Sequence, residues 1–344
     1  MVNEKRWAPA EGFILAENED RILSDVVKKT GFVVKERLRA GAVYDAKKVR
    51  DVVYTGTYDG KDAILKIKGL KVDSSELPNI EAFNKQNRSK IVRIPQIYSS
   101  MRYNARKGYE YIIFEYIRGK WSWDAPFAGK DDIREFAKFY QEYRINAITK
   151  DFLPKKRGNP LSYQMMKVDF WRSICESTGR LRLEQYAPWL MRYYPIAVKN
   201  LADIPLVLSH SVLADNVLRD DNNSYVLLSN NLWGYMYQWA DLTMPLWVSL
   251  LNIRDTGKSF EDVLGHVNNW TEILKSIPVV KEDPDFDRKF STHMLNRCIG
   301  TMLADLGAGH KWGLHENREL LGYLVALNQK LFDHFAGKLE SKNQ

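Results

Sequence analysis

Cysteine is nearly missing from this chain. Two residues, Cys175 and Cys298, stand in 344, which excludes a disulfide framework and a thiol-rich metal site. Long apolar runs are missing too. None approaches the ~20 residues needed to cross a bilayer, and the opening Met-Val-Asn-Glu-Lys-Arg-Trp lacks the apolar core of a signal peptide. The expectation is a cytoplasmic protein with no membrane partner. Histidine is also scarce, and His293, His310 and His315 are not spaced as metal ligands. Internal repeats and low-complexity segments are absent. What is present is 45% hydrophobic and 12% aromatic content over a length that suits two domains.

Negative charge is short in the first third. Through Arg118 there are 23 Lys and Arg against 16 Asp and Glu, while the remainder is nearly balanced, for a net charge of +8. Such a field favours anions, whether nucleotide phosphates or an acidic partner. Nucleic acid is the weaker reading, because no nucleic-acid motif accompanies the charge. Scattered surface lysines account for the same excess.

Three strands are expected over 32–70: Phe32–Leu38, Val49–Tyr58 and Asp62–Lys68. Asp59-Gly60 marks the turn between the last two. Ile14 to Lys29 has the apolar spacing of an amphipathic helix that Gly31 would end. A short helix over Asn79–Gln86 and two strands, Tyr98–Tyr103 and Gly108–Ile117, follow, and Arg118-Gly119 breaks the last. From Asp131 the spacing is mostly helical: 131–147, 163–178, 180–202, 239–250, 259–276, 285–307 and 315–339. The aromatics Tyr163, Phe170, Trp171, Trp189, Tyr193 and Tyr194 read as core.

The centre of the chain interrupts the helices. Ile204–Leu208 and Tyr225–Leu228 are short buried strands; between them lie Ser209-His210-Ser211-Val212-Leu213-Ala214-Asp215-Asn216, the strand Val217-Leu218 and a polar turn. A loop ending in Asn, a hairpin, and a strand ending in polar residues is the layout of a kinase catalytic centre. Upstream, Ala63-Ile64-Leu65-Lys66 matches the strand whose lysine holds nucleotide phosphates. Glu81 lies where a helix glutamate pairs with that lysine, and Glu115-Tyr116-Ile117 resembles a hinge whose backbone faces adenine.

In order and spacing these segments resemble the aminoglycoside phosphotransferase and choline kinase branch of the protein-kinase-like fold, over roughly residues 30–340. The resemblance implies an α+β, bilobal architecture with an antiparallel-sheet N-lobe and a mainly helical C-lobe. The expected parts are an N-terminal arm and helix (1–30), a nucleotide-binding-like sheet (31–118) and a helical lobe carrying the catalytic loop (119–344). Lys66, Glu81, Glu115, Tyr116 and Ile117 would bind the nucleotide, with Lys47 and Lys48 in the turn after the first strand as further phosphate contacts. Asn216 and Asp241 match the family; Asn216 would be a metal ligand, with Ser229 and Asn230 as the other metal positions, and Asp241 would be structural.

Two positions depart from it. Counting from Asn216, Ser211 falls where the family places its catalytic Asp, and Ser229 where it places its metal-binding Asp. A serine hydroxyl is a poor base near pH 7 and a weak Mg2+ ligand. The candidate substitutes are Asp215 as a displaced base and Asn230 or Asn231 as a metal ligand. The expectation is a catalytically impaired pseudokinase that binds nucleotide or a small ligand in the interlobe cleft, or a protein partner. ATP is a candidate ligand and Mg2+ a poor fit. The alternatives are an active small-molecule phosphotransferase with a non-standard site, or a basic nucleic-acid or acidic-partner binder.

Overall fold

A computed structural model describes residues 14–15, 18–43, 45–69, 76–122, 129–146, 159–210, 213, 216–251, 258–307 and 318–341. The chain divides into two compact units. The first joins 1–122 to Asn216–Trp233; the second joins 123–215 to 234–344. The segment 216–233, expected within the helical lobe, therefore groups with the sheet region, and strand pairing is the reason.

In the first unit, β1 (Ile14–Leu15), β2 (Val33–Val43), β3 (Asp45–Tyr58), β4 (Lys61–Lys68), β6 (Ile97–Asn104) and β7 (Tyr109–Glu115) form one antiparallel sheet. Asp59 and Gly60 turn β3 into β4, both with positive φ (48° and 74°), as an Asp-Gly hairpin requires. Ile14 and Leu15 are not helical; they pair with Val49 and Lys48 of β3. The helix begins later, as α1 (Glu19–Thr30), with Glu19 and Asp20 in its first turn and Lys28 and Lys29 in its last. Gly31, at φ 73°, ends it and donates its N–H to the Val27 carbonyl at 2.9 Å.

Alternation divides the sheet into two faces. Val52, Tyr54, Leu65, Ile67, Tyr111 and Ile113 point to the side where Ile22, Val26 and Phe32 complete a core. The other face is also buried but carries charge: Asp51, Lys66, Lys68 and Glu110. A second sheet of four strands runs β5 (Val92–Arg93), β11 (Tyr225–Leu227), β10 (Val217–Asp220) and β8 (Gly119–Trp121). β5 pairs with β11 in parallel and β8 with β10 antiparallel, which draws 216–233 into this unit. α2 (Leu77–Gln86) buries Leu77, Ile80 and Phe83 along one stripe.

The second unit is mainly helical. It contains α3 (Lys130–Asn146), α4 (Pro160–Thr178), α5 (Ala187–Leu201), α6 (Thr243–Leu251), α7 (Phe260–Lys275), α8 (Pro278–Lys281), α9 (Phe286–Gly300) and α10 (Arg318–Ser341). α9 continues as a π-helical segment, Thr301–Gly307. β9 (Leu206–His210) and β12 (Trp233–Tyr237) make a two-stranded ladder. Asn159 caps α4, accepting from Leu161 N at 2.9 Å, and Ser259 caps α7 with a reciprocal bond to Asp262. Phe136, Phe139, Tyr140, Tyr143 and Trp270 are fully buried. Of the aromatics expected in the core, Tyr193 is there, Trp171 is half-buried, and Tyr163 is exposed because it falls on the outer side of α4. No helix among the described residues is long and apolar enough to cross a membrane.

Candidate functional site

Lys66 and Lys68 are two apart on β4, so they share the charged face. Register sets Lys68 directly opposite Asp51 on β3 and Glu110 on β7. The acid that meets the lysines comes from outside the sheet. Glu76, at the entry of α2, accepts from Lys66 Nζ at 2.8 Å and is ion-paired to Lys68; Asp51 Oδ2 lies 4.0 Å from Lys66 Nζ. All four side chains are buried. Burial works against ionisation of Glu76, but the two ammonium groups outweigh it and hold its carboxyl well below the usual carboxylate range. Burial dominates at Lys68 and lowers its ammonium to about 8 despite Glu76.

The expected Lys66–Glu81 pair is therefore corrected. Glu81 is exposed and binds Arg102 at 2.6 Å. The stripe Leu77–Ile80–Phe83 fixes the inner side of α2, and Glu81 lies off it. Glu76, missed in the sequence, was marked by two lysines on one buried strand face: a pair of enclosed cations needs an enclosed acid.

Glu76 also reaches the end of β11. Its Oε1 accepts from Asn230 N at 2.6 Å, and Asn79 Nδ2 donates to the Asn230 carbonyl at 2.8 Å. Asn230 is buried. Its amide oxygen accepts from Trp233 Nε1 at 3.0 Å and its amide nitrogen donates to the Leu227 carbonyl at 3.2 Å. The side chain expected as a metal ligand is thus engaged in holding the loop. Ser229 precedes it in the left-handed region, at φ 53° and ψ 51°. Asn216 stands opposite Leu228, the residue before Ser229, at the end of the β10–β11 ladder, its carbonyl accepting from Leu228 N at 2.8 Å. The structure brings Lys66, Glu76, Asn216, Ser229 and Asn230 into one unit, linked through Glu76 and the ladder. Among the described residues no group of three His, Cys, Asp or Glu is placed to hold a metal ion.

The hinge-like segment is ordered by charge. Arg93 binds Glu115 at 2.8 and 3.1 Å and Asp220 at 3.0 and 2.9 Å. Tyr116 N donates to the Asp62 carbonyl at 3.3 Å; the Tyr116 side chain is exposed and Ile117 half-buried. Lys47 and Lys48 lie in β3 rather than in an open turn, because β2 and β3 run on to Val43 and Asp45. Their side chains, and Ser211 and Asp215, lie outside the described residues.

In the second unit Asp241 is buried in a short helical turn after Trp239. It accepts from Tyr140 OH at 3.0 Å, and Arg144 Nη1 lies 3.7 Å from its other oxygen. Arg144 also donates to the Leu208 carbonyl and to Ser209 Oγ at 3.1 and 2.9 Å, and Tyr143 OH accepts from His210 N at 2.6 Å. Burial works against the Arg144 cation, but Tyr140, Asp241 and Tyr143 raise its pKa above the ordinary value. This network anchors the strand leading to Ser211.

No protein-family model and no curated protein matches the sequence. Solved structures do. An amicoumacin kinase in complex with AMP-PNP, Ca2+ and amicoumacin is 13% identical with a TM-score of 0.58, covering 93% of this chain and 96% of its own. The aminoglycoside phosphotransferase APH(4)-Ia is 10% identical at 0.55, covering 90% and 98%. An aminoglycoside phosphotransferase from Alicyclobacillus acidocaldarius is 13% identical at 0.54, covering 93% and 95%. The fold is that of the aminoglycoside phosphotransferases, within the protein-kinase-like class. At these identities the likeness concerns the fold alone.

Proposed function

We propose that this protein is a catalytically impaired kinase-like protein, a pseudokinase, that binds a nucleotide through its first unit and acts by binding rather than by phosphoryl transfer. The observation that carries this reading is the end of β11, where a serine, Ser229, stands and the Asn230 amide is engaged in holding the loop. The Lys66–Glu76 pair is the lysine–glutamate pairing that nucleotide sites of this fold use, and it supports nucleotide binding rather than impairment. Phosphoryl transfer in this fold depends on a metal-held phosphate and a carboxylate that orients the acceptor. Ser229 and the engaged amide of Asn230 supply neither charge. The nucleotides in the amicoumacin kinase and APH(4)-Ia complexes support nucleotide as the ligand.

Calorimetric titration with ATP, with and without Mg2+, tests the reading beside a phosphate-release assay. Binding with little Mg2+ dependence, weakened by Lys66→Met, is expected, with no turnover. Robust turnover that is lost in Lys66→Ala would overturn it.

A further inference from the structure

Glu76 serves two lysines with one oxygen. Its Oε2 accepts from Lys66 Nζ at 2.8 Å and is also the atom paired with Lys68, while its Oε1 accepts from the backbone N–H of Asn230 at 2.6 Å. A lysine–glutamate pair at a nucleotide site needs one ammonium. The second ammonium, that of Lys68, has no part in the nucleotide reading as it stands.

Cross-strand register separates the two cations. The residues directly opposite Lys66 are Val53 on β3 and Ile112 on β7, both apolar. Opposite Lys68 stand Asp51 and Glu110, both buried. Lys68 is thus enclosed with an acid from each of three elements: Asp51 on β3, Glu110 on β7 and Glu76 at the entry of α2, with Lys66 beside it on β4. Lys66 has its close contact with Glu76, and Asp51 Oδ2 lies 4.0 Å away. Lys66 is therefore the cation that can turn aside at the smaller loss, and Lys68 the one that stays.

This asymmetry matters when a phosphate arrives. A buried carboxylate stripped of its cation is strongly destabilised. With Lys66 as its sole partner, Glu76 and the phosphate would compete for one ammonium. With Lys68 on the same oxygen, Glu76 stays balanced, keeps its hold on Asn230, and leaves Lys66 to donate to the phosphate.

We propose that Lys68 is a positioning residue of the nucleotide site, a role that rests on the nucleotide reading: it keeps Glu76 charged and in place while the Lys66 ammonium turns to a nucleotide phosphate. Lys68 acts through Glu76 and does not touch the ligand. Burial lowers the Lys68 ammonium to about 8, so the device has a pH signature. As the pH rises from 7 to 9 Lys68 loses its proton, Glu76 falls back on Lys66 alone, and nucleotide affinity drops.

Calorimetric titration of the full chain with ATP from pH 7 to pH 9, without Mg2+, tests it. Wild type should bind more weakly as the pH passes 8. Lys68→Met should bind about tenfold more weakly at pH 7 and show no further fall. Lys68→Arg should restore the affinity and remove the fall, because a guanidinium does not titrate there. Wild-type affinity in Lys68→Met, or a fall that persists in it, overturns the role of Lys68 and leaves the nucleotide reading intact. Absence of ATP binding by wild type at pH 7 overturns both. Urea unfolding without ligand gives an independent check. Lys66→Met and Lys68→Met should each fold, since one lysine still balances Glu76, and the double variant should lose more stability than the two single losses combined. Additive losses, or a Lys68→Met chain that does not fold while Lys66→Met does, would make Lys68 a scaffold cation and overturn the proposal.

Discussion

Lys66 Nζ lies 2.8 Å from Oε2 of Glu76, and that one carboxylate also pairs with Lys68 and accepts from the backbone of Asn230. Removing its charge leaves two enclosed ammonium groups short of a partner. Glu76→Gln should destabilise the protein by about 3–5 kcal/mol. Glu81→Gln, which breaks only an exposed pair with Arg102, should cost less than about 0.5 kcal/mol. Urea unfolding of the two variants measures the contrast. Equal effects would mean that Glu76 is not the partner of the lysines.

His293 gives the stability curve its acid edge. It is buried, its Nε2 donates to the Gln238 carbonyl at 2.8 Å, and burial lowers its pKa from 6.5 to about 4. Between those values the unfolded chain binds a proton that the folded chain does not. Stability from this residue therefore falls as the pH drops from about 6.5 toward 4 and is flat above that window. His293→Gln should shallow the fall, as read from unfolding free energies at pH 7, 6 and 5. A slope that survives the substitution unchanged would assign it to other groups.

Asp241 binds Tyr140 and lies close to Arg144 in a buried network. Asp241→Ala leaves Arg144 without its acid and should cost about 3–5 kcal/mol. Tyr140→Phe removes one hydrogen bond and should cost about 1–2 kcal/mol. If Asp241→Ala unfolds at the wild-type denaturant concentration, Asp241 is not the anchor described.

Ser229 is half-buried and in the left-handed region, which aspartate tolerates better than most residues. Ser229→Asp should therefore fold, with a change of less than about 1 kcal/mol. It returns a carboxylate to the end of β11, and ATP binding should become stronger with Mg2+ than without it. Calorimetry in both conditions decides; an unchanged metal dependence would mean that this position does not face the phosphates.

The strand and helix order was legible because alternation on β3, β4 and β7 and the helical stripes from α3 to α10 are strong local signals. Ile14 and Leu15 suit a helix by sequence because two apolar residues fit either period, and only pairing with Val49 and Lys48 makes them a strand. The affiliation of 216–233 depends on β5 and β8, which are remote in sequence. Within the site, Lys66 is legible from its strand pattern, whereas the sequence points to Glu81 on the helix as its acid. The stripe Leu77–Ile80–Phe83 already turns Glu81 outward, so burial of the lysines had to be met from the helix entry. The pairing of Gln164 with Asn296 and the fit of Trp171 on Gly300 had no local signal at all, because each joins helices far apart in the chain.

The parallel pairing of β5 with β11 sets the order in which the chain can mature during synthesis. Val92 must wait for Tyr225, so the four-stranded sheet stays open while α3, α4 and α5 leave the ribosome. At ~5–20 residues per second that is a delay of many seconds. Until β11 arrives, β5 has an unpaired edge, and Arg93 has Glu115 but not yet Asp220. A nascent chain stalled before Asp220 should therefore be the most protease-sensitive and chaperone-dependent stage in the life of this protein.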